Sequence, residues 1–233
     1  YDLHLDPANN CDKDASGAAI VGYTTDYDGD TRNATAPDMG CDEFDPTGSG
    51  SPIWKGVNTD WTDAANWCGA IPISTTNVSI PAGRSNYPTI TTNTPVCGNI
   101  NIASGGSVTI TGVGQLAIYG TITNAGTFDV SDGTIAMSGS SAQTIPASAF
   151  ASNNIKNLII NNATVNLAGA LNLTGKLSFT GSNRTFATAG NLTLKSSATA
   201  TASVGDITNN GTNTGNQITG DVLVERHIMA VRA

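Results

Sequence analysis

The sequence predicts an all-β protein built as a right-handed parallel β-helix, or β-solenoid, with a β-sandwich as the alternative. From Val78 onward, short runs of alternating apolar and polar residues return about every ten residues, separated by Gly, Asn, Ser and Asp. The pattern continues for about 150 residues without the periodicity of a helix. Only 12% of residues are charged, and this composition suits short strands and tight turns.

Each run carries apolar residues at alternate positions, and Thr, Asn, Ser or Ala between them. Examples are Val108 and Ile110, Leu116 and Ile118, Phe128 and Val130, Leu171 and Leu173, and Leu192 and Leu194. This alternation predicts strands with one buried face and one solvated face. The turns read NAG, NNG, SGG and TAG, where a sandwich would use tight two-residue hairpin loops, so they favour the solenoid.

The three tryptophans all lie in the stretch IWKGVNTDWTDAANWCG, as Trp54, Trp61 and Trp67. A solenoid exposes its core and strand edges at each end, so a terminal coil needs a cover. A Trp-rich segment just before the first coil predicts such a cap. The alternative is a carbohydrate platform, in which the same three indoles bind sugar rings.

Charge is unevenly distributed along the chain. Residues 1–46 hold 11 of the 18 acidic residues and 2 of the 10 basic ones. Because basic residues are not clustered anywhere, the sequence argues against a nucleic-acid partner. No apolar run approaches the roughly 20 residues that cross a bilayer.

The four cysteines lie at positions 11, 41, 68 and 97. They allow three disulfide connectivities, and one pair in each proposed module favours Cys11–Cys41 and Cys68–Cys97. Each loop of about thirty residues would then contribute roughly 3–4 kcal/mol. Disulfides indicate an oxidising, extracellular setting.

Three carboxylates alternate around Gly29, as Asp26, Asp28 and Asp30. Such oxygen ligands suit a hard cation, so structural calcium is a candidate, although an EF-hand loop would have Glu where Pro37 stands. The structural alternative is an acidic turn in which Arg32 pairs with an acid, and it is favoured over calcium. Asp42 and Glu43 are the nearest further ligands. No cofactor is required.

The sequence predicts no catalytic residues. Between Arg84 and Lys156 the charged residues are Asp129 and Asp132, which a strand and a turn explain. Glycoside hydrolysis would need two carboxylates held across a bond. His4 and His227 lie near opposite ends, and no nucleophile motif accompanies them. We therefore expect a protein that is not an enzyme.

The stretch IWKGVNTDWTDAANWCGAIPISTTNVSIPAG, followed by YPTI and VCGNINIASGGSVTI, resembles a module of very large surface proteins exported by the type IX secretion system. The closing QITGDVLVERHI is similar to a strand that often ends that module. The resemblance covers residues 51–233 and is specific in its first fifty positions. It implies an extracellular β-solenoid segment of an adhesin or surface filament, without catalytic residues.

The N-terminal stretch carries a second resemblance. TTDYDGDTRNATAPDMGCDEFDP is similar to the final coil of pectate-lyase-like right-handed β-helices, which close on TD-x-DGD-x-R and D-x-G-x-DE. The matching residues are Asp26, Asp28, Gly29, Asp30, Arg32, Asp38, Gly40, Asp42 and Glu43. The resemblance implies that residues 1–46 are the terminal coil of an upstream helix.

These observations predict four segments: the upstream coil at 1–46, a linker at 47–52, a disulfide-stapled Trp-rich cap at 53–97, and a truncated solenoid at 98–233. We expect both ends to be cuts in a longer polypeptide. The function predicted is a non-catalytic adhesin or stalk segment at the cell surface. Its partners would be surface glycans or other cell-surface proteins, and the secretion machinery in transit.

Two other functions remain open at this stage. One is a carbohydrate-binding module of a secreted polysaccharide-degrading enzyme. The other is an ice-binding solenoid, which would use threonine pairs such as Thr109/Thr111 and Thr121/Thr123. Those pairs do not recur at one fixed period, and threonine is ordinary on the wet side of a strand.

Overall fold

The computed structural model describes residues 17–43, 51–208 and 211–228, and this part of the chain is all-β with two 3-10 helical turns. Its strands are two to eleven residues long. In chain order they are β1 (Ile53–Trp54), β2 (Trp67–Cys68), β3 (Val78–Ile80), β4 (Thr89–Ile90), β5 (Val96–Cys97), β6 (Ile100–Ile102), β7 (Ser107–Ile110), β8 (Gln115–Ile118), β9 (Ile122–Asn124), β10 (Thr127–Met137), β11 (Gln143–Ile145), β12 (Asn154–Ile160), β13 (Thr164–Leu167), β14 (Leu171–Leu173), β15 (Lys176–Phe179), β16 (Thr185–Ala187), β17 (Leu192–Leu194), β18 (Ser203–Val204), β19 (Gln217–Thr219) and β20 (Val222–Val224).

The strands wind into coils that stack on one another, which confirms the predicted β-solenoid. The successive coils are β3–β5, β6–β8, β9–β10, β11–β12, β13–β15 and β16–β18, and β19 with β20 begins the next. Every ladder between these coils is parallel. Among the described strands, the one antiparallel ladder joins β1 to β2.

The coil repeats where equivalent residues align. Val78 pairs with Ile100, and Ile100 pairs with Ile122, a repeat of 22 residues. The spacing of about ten residues seen in the sequence is therefore the distance between strands within a coil. Since β3, β4 and β5 already form the first coil, the solenoid begins at Val78, inside the segment expected to be only a cap.

Apolar residues stack in columns along the axis. One column consists of fully buried residues on β8, β10, β12 and β15, namely Leu116, Ile135, Leu158 and Leu177. The buried hydrophobic cluster to which they belong extends from Trp54 to Ala202. Each coil thus covers the apolar surface of the one before it, and dispersion and burial act along the whole stack.

An asparagine ladder closes one corner of the first coils. The side chain of Asn77 accepts a hydrogen bond from the Asn99 backbone N–H at 3.0 Å, and Asn99 accepts one from Thr121 N–H at 2.7 Å. The Asn99 side chain lies against Gly120, where an added Cβ would come within 2.0 Å of its Oδ1. Glycine at 120 lets the chain turn beside this ladder.

The first strands of the coils do not form one continuous sheet. β1, β3, β6 and β9 belong to one sheet with β2, whereas β11, β13, β16 and β19 form another. At this break the buried Gln143 side chain donates to the carbonyls of Ile118 and Gly120, and Asn162 donates to Gln143. The long strands β10 and β12 carry the remaining sheet across the break.

Residues 17–43 lie outside this stack in their own conformation. Their described backbone contains one isolated antiparallel bridge, between Thr25 and Thr31, and no strand that pairs with the solenoid. The parallel coil expected here is therefore not seen within 17–43. No helix in the described ranges is long and apolar enough to span a membrane.

Candidate functional site

The tryptophan cap, residues 53–68, covers the first coil. β1 pairs in parallel with β3 through Ile53 and Ser79, and β2 then pairs antiparallel with β1. The antiparallel strand occupies the edge on which another parallel coil would otherwise add. This is how natural sheets protect an edge from unwanted pairing.

The three indoles pack edge to face. The ring centroids of Trp54 and Trp67 are 5.0 Å apart, and those of Trp61 and Trp67 are 4.8 Å apart. Such T-shaped pairs are each worth about 0.5–1.5 kcal/mol beyond the area that they bury. Trp54 is 0%, Trp61 1% and Trp67 3% exposed. Their faces are therefore covered by protein, which favours the cap interpretation and leaves no flat indole surface for a sugar ring.

Two of the indole N–H groups have backbone partners, one outside the cap and one within it. Trp54 Nε1 donates to the Asn86 carbonyl at 2.8 Å, and Trp67 Nε1 donates to the Trp61 carbonyl at 2.7 Å. The Asn86 side chain returns a hydrogen bond to the Gly56 carbonyl at 3.0 Å. Buried indoles thus obtain polar partners as well as apolar contact.

A polar network between Trp54 and Trp67 shapes the loop of the cap. The fully buried Asn66 side chain donates to Asn58 Oδ1 at 2.6 Å and to the Asp60 carbonyl at 2.7 Å, while Asn58 Nδ2 donates to Asp63 at 2.6 Å. Asp63 also accepts from the Ala65 N–H, as the N-cap of the 3-10 turn Ala64–Asn66. Sequence reasoning missed these residues, although the run N-x-D-x-x-D-x-x-N is rich in capping side chains.

The cysteines do not form the predicted Cys68–Cys97 bond. Cys97 is a free thiol at the buried end of β5, and burial raises the pKa of this thiol well above its ordinary range. Cys68 lies on β2 in a different sheet and packs with Ile53 outside the main core. Cys68 is itself disulfide-bonded, so its sulfur is not available to Cys97. Cys11 lies outside the described residues, but Cys41 carries an exposed thiol, so the predicted Cys11–Cys41 bond is wrong.

The acidic turn, residues 26–30, brings its three carboxylates together as expected. Oxygens of Asp26, Asp28 and Asp30 lie within 4.8 Å of one another. Asp28 and Asp30 are exposed, and Asp26 is half-buried. The geometry is compatible with a hard cation.

Backbone contacts explain much of the acidic turn without a metal. Asp26 Oδ1 accepts from the N–H groups of Gly29 and Asp30, and its Oδ2 accepts from Glu43 N–H at 2.9 Å. The Glu43 hydrogen bond is the main cause of a lowered Asp26 pKa, and it outweighs the opposing effect of desolvation. Asp26 therefore ties the turn to the end of this segment.

Arg32 binds beside the turn, and its ionic partner is Glu43. Its Nε lies 3.6 Å from Glu43 Oε2, and its guanidinium donates to the carbonyls of Asp38 and Gly40. The Glu43 carboxylate also accepts from the backbone N–H of Asn33 and Asp38. Arg32 thus pairs with an acid as predicted, but the pair lies beside the acidic turn.

Local structure accounts for the two acidic residues between Arg84 and Lys156. Asp129 accepts from Ser131 N–H, while Asp132 pairs with Lys156 at 2.6 Å across neighbouring coils. The Lys156 hydrogen bond lowers the pKa of Asp132. His227 is exposed near the end of the described residues, and His4 lies outside them.

The threonines proposed for ice binding do not stack on one another. Thr109 aligns with Thr89 in the preceding coil and with Asp129 in the next, whereas Thr123 aligns with Asn101. Aligned rows of threonine would be needed to order water on one face. These mixed columns favour ordinary solvated strand positions.

Comparison with protein families finds one match. Residues 53–144 match a family described as Domain of unknown function (DUF8693). The matched range is less than half of the chain, and it contains the tryptophan cap and the first three coils. It ends at the break between the β9 and β11 sheets. Searches of curated proteins and of solved structures find no match.

Replacing Trp67 with Ala is expected to lower the free energy of unfolding by about 3–5 kcal/mol, because this indole contacts both other tryptophans. Tyr119→Ala is the control, since Tyr119 is 39% exposed, and it should change the free energy by less than about 1 kcal/mol. Denaturant unfolding measures both. Equal losses in the two variants would contradict the role of the cap.

Acid should loosen the acidic turn through Asp26. Because the folded-state pKa is lowered, its contribution to stability is full above the ordinary value of 3.8 and is lost as pH falls through the folded pKa. The amide resonances of Gly29, Asp30 and Glu43 should report one shared transition below that value. Asp26→Asn should abolish this transition, and its persistence in the variant would refute the assignment.

Proposed function

We propose that the chain is a non-catalytic structural segment of a secreted cell-surface protein, in which the solenoid serves as a stalk or as the scaffold of an adhesive surface. The observation that carries this proposal is the stack of parallel coils built on a single hydrophobic cluster. Coils of this kind rise about 4.8 Å each, so six of them extend the chain by about 30 Å.

The bonding pattern supports a mechanical role. From β4 to β20, strands of successive coils are joined by backbone hydrogen bonds that run along the solenoid axis. Pulling along the axis loads many of these bonds and the buried apolar columns together. Ladder amides are also held away from proteases, which act on locally opened chain.

The outer surface supports an extracellular setting. Outward strand positions carry small uncharged residues, such as Ser79, Asn101 and Thr123 in one column. The chain contains only 10 Lys and Arg residues in 233, so it offers few tryptic sites. The resemblance of residues 51–233 to modules exported by the type IX system points to the same location.

A carbohydrate-binding function would need a surface other than the three tryptophans that the sequence indicated. With the faces of Trp54, Trp61 and Trp67 covered, these residues stabilise the first coil and do not form a platform. Surface glycans or other cell-surface proteins remain the proposed partners of the solenoid. Their contact would lie on the loops or on the polar outer columns.

Location is the direct test of this proposal. Antibodies raised against recombinant residues 51–228 should label intact producing cells, and extracellular protease should remove the label. An antibody to a cytoplasmic protein is the control for membrane integrity. Labelling that requires permeabilised cells would overturn the proposal.

A further inference from the structure

A small cleft lies where the tryptophan cap meets the first coil. It is bounded on one side by the cap loop, residues 59–62, and on the other by residues 89–92 with Pro95, and it encloses about 260 Å³. The Thr89 N–H donates to the Thr59 carbonyl at 2.9 Å, so a backbone hydrogen bond fixes the two sides relative to each other. The cleft is thus formed by ordered elements.

The cleft combines an apolar base with polar walls. Trp61 and Ile90 are each 1% exposed, and Pro95 is buried. The walls carry five threonines and one carboxylate, that of Asp60. The groups that face a ligand are therefore mainly polar, which suits a small ligand rich in hydroxyl groups.

Several wall groups retain hydrogen-bonding capacity. Asp60 Oδ1 accepts from the N–H and the hydroxyl of Thr62, both at 2.8 Å. Asp60 Oδ2 and the hydroxyls of Thr59 and Thr91 have no hydrogen-bond partner within the described ranges of the chain. One acceptor and two hydroxyl groups are therefore available to a ligand.

Trp61, which lines the cleft, carries a donor without a partner. Trp61 Nε1 is buried and has no hydrogen-bond partner among the described residues, whereas the indole N–H groups of Trp54 and Trp67 both have one. A buried donor without a partner is costly, and native structures seldom leave one without a reason. An oxygen atom supplied from the cleft would satisfy it.

We propose that this cleft binds a single ring of a neutral sugar. The ring lies between the two walls, its hydroxyls bind Asp60 and Thr91, and one of its oxygen atoms accepts from Trp61 Nε1. The exposed threonine side chains rotate to admit that contact, a motion available to surface rotamers.

Size and charge select this ligand class. The volume lies just below the range of about 300–1,000 Å³ typical of sites for drug-sized ligands, so one ring fits better than an extended chain. Asp60 is the one charged residue that lines the cleft, and its carboxylate disfavours an anionic sugar. The inference goes beyond the stalk proposal and does not depend on it.

Nuclear magnetic resonance of ¹⁵N-labelled protein tests the site. D-glucose, D-galactose, D-mannose and N-acetyl-D-glucosamine are each titrated while the three indole N–H signals are followed. At least one sugar should shift the Trp61 signal in a saturable manner. The Trp54 signal should stay in place because its N–H is already bonded to Asn86.

Two threonine variants locate the binding. Thr91→Val removes a wall hydroxyl without breaking a described hydrogen bond and should weaken the apparent affinity about threefold to tenfold. Thr123→Val makes the same change on the exposed side of β9, outside the cleft, and should leave the affinity unchanged.

Two outcomes would overturn the proposal. The first is the lack of a saturable Trp61 shift with all four sugars, which would mean that solvent or the neighbouring indole satisfies the N–H. The second is a saturable shift that Thr91→Val does not weaken. Both measurements use purified protein. A negative result for the cleft therefore does not bear on the stalk proposal, which surface labelling of intact cells tests separately.

Discussion

The fold depends on closing the exposed edge of its first parallel coil. A parallel stack has no natural end, because every coil presents unpaired backbone groups and an apolar cross-section to whatever comes next. Here the antiparallel strand β2 covers β1, and three buried indoles join the hydrophobic cluster that contains Val78 and Ile80. At the other end of the described stack, Val224 aligns with the buried Leu194 but is 65% exposed. The two ends of the described stack therefore differ in how their apolar residues are covered.

Once the first coil is closed, each later coil is specified largely by the one before it. The 22-residue repeat aligns apolar columns, and side chains such as Asn99 hold the corners where strands end. The stack also tolerates an interruption, because the sheet that ends at β9 is not continued by β11. The buried Gln143 side chain donates to the carbonyls of Ile118 and Gly120, and the ring centroids of Phe150 and Phe128 lie 5.2 Å apart in the core. The long strands β10 and β12 maintain the stack across this point.

Period-two alternation at pairs such as Val108 and Ile110 predicted strands with one buried face. The choice of a solenoid over a sandwich depended on the length of the pattern and on the turn sequences, because alternation alone fits both folds. The clustering of Trp54, Trp61 and Trp67 likewise predicted a cap, and the alternation of Asp26, Asp28 and Asp30 predicted their convergence. Both predicted cysteine pairings were wrong, because similar loop lengths do not reveal which sulfur atoms meet in the fold. The cleft between residues 59–62 and 89–95 was beyond prediction, because it depends on long-range placement of Thr59 against Thr89.

Hydrogen exchange along the chain tests most directly whether the cap supports the stack. In Trp67→Ala, exchange should accelerate most in β3, β4 and β5 and progressively less toward β17. In Leu194→Ala, which opens a cavity near the other end, the acceleration should be confined to the last coils. If Trp67→Ala leaves β3–β5 as protected as they are in the unmodified protein, the cap does not hold the first coil and the account of the fold given above is wrong.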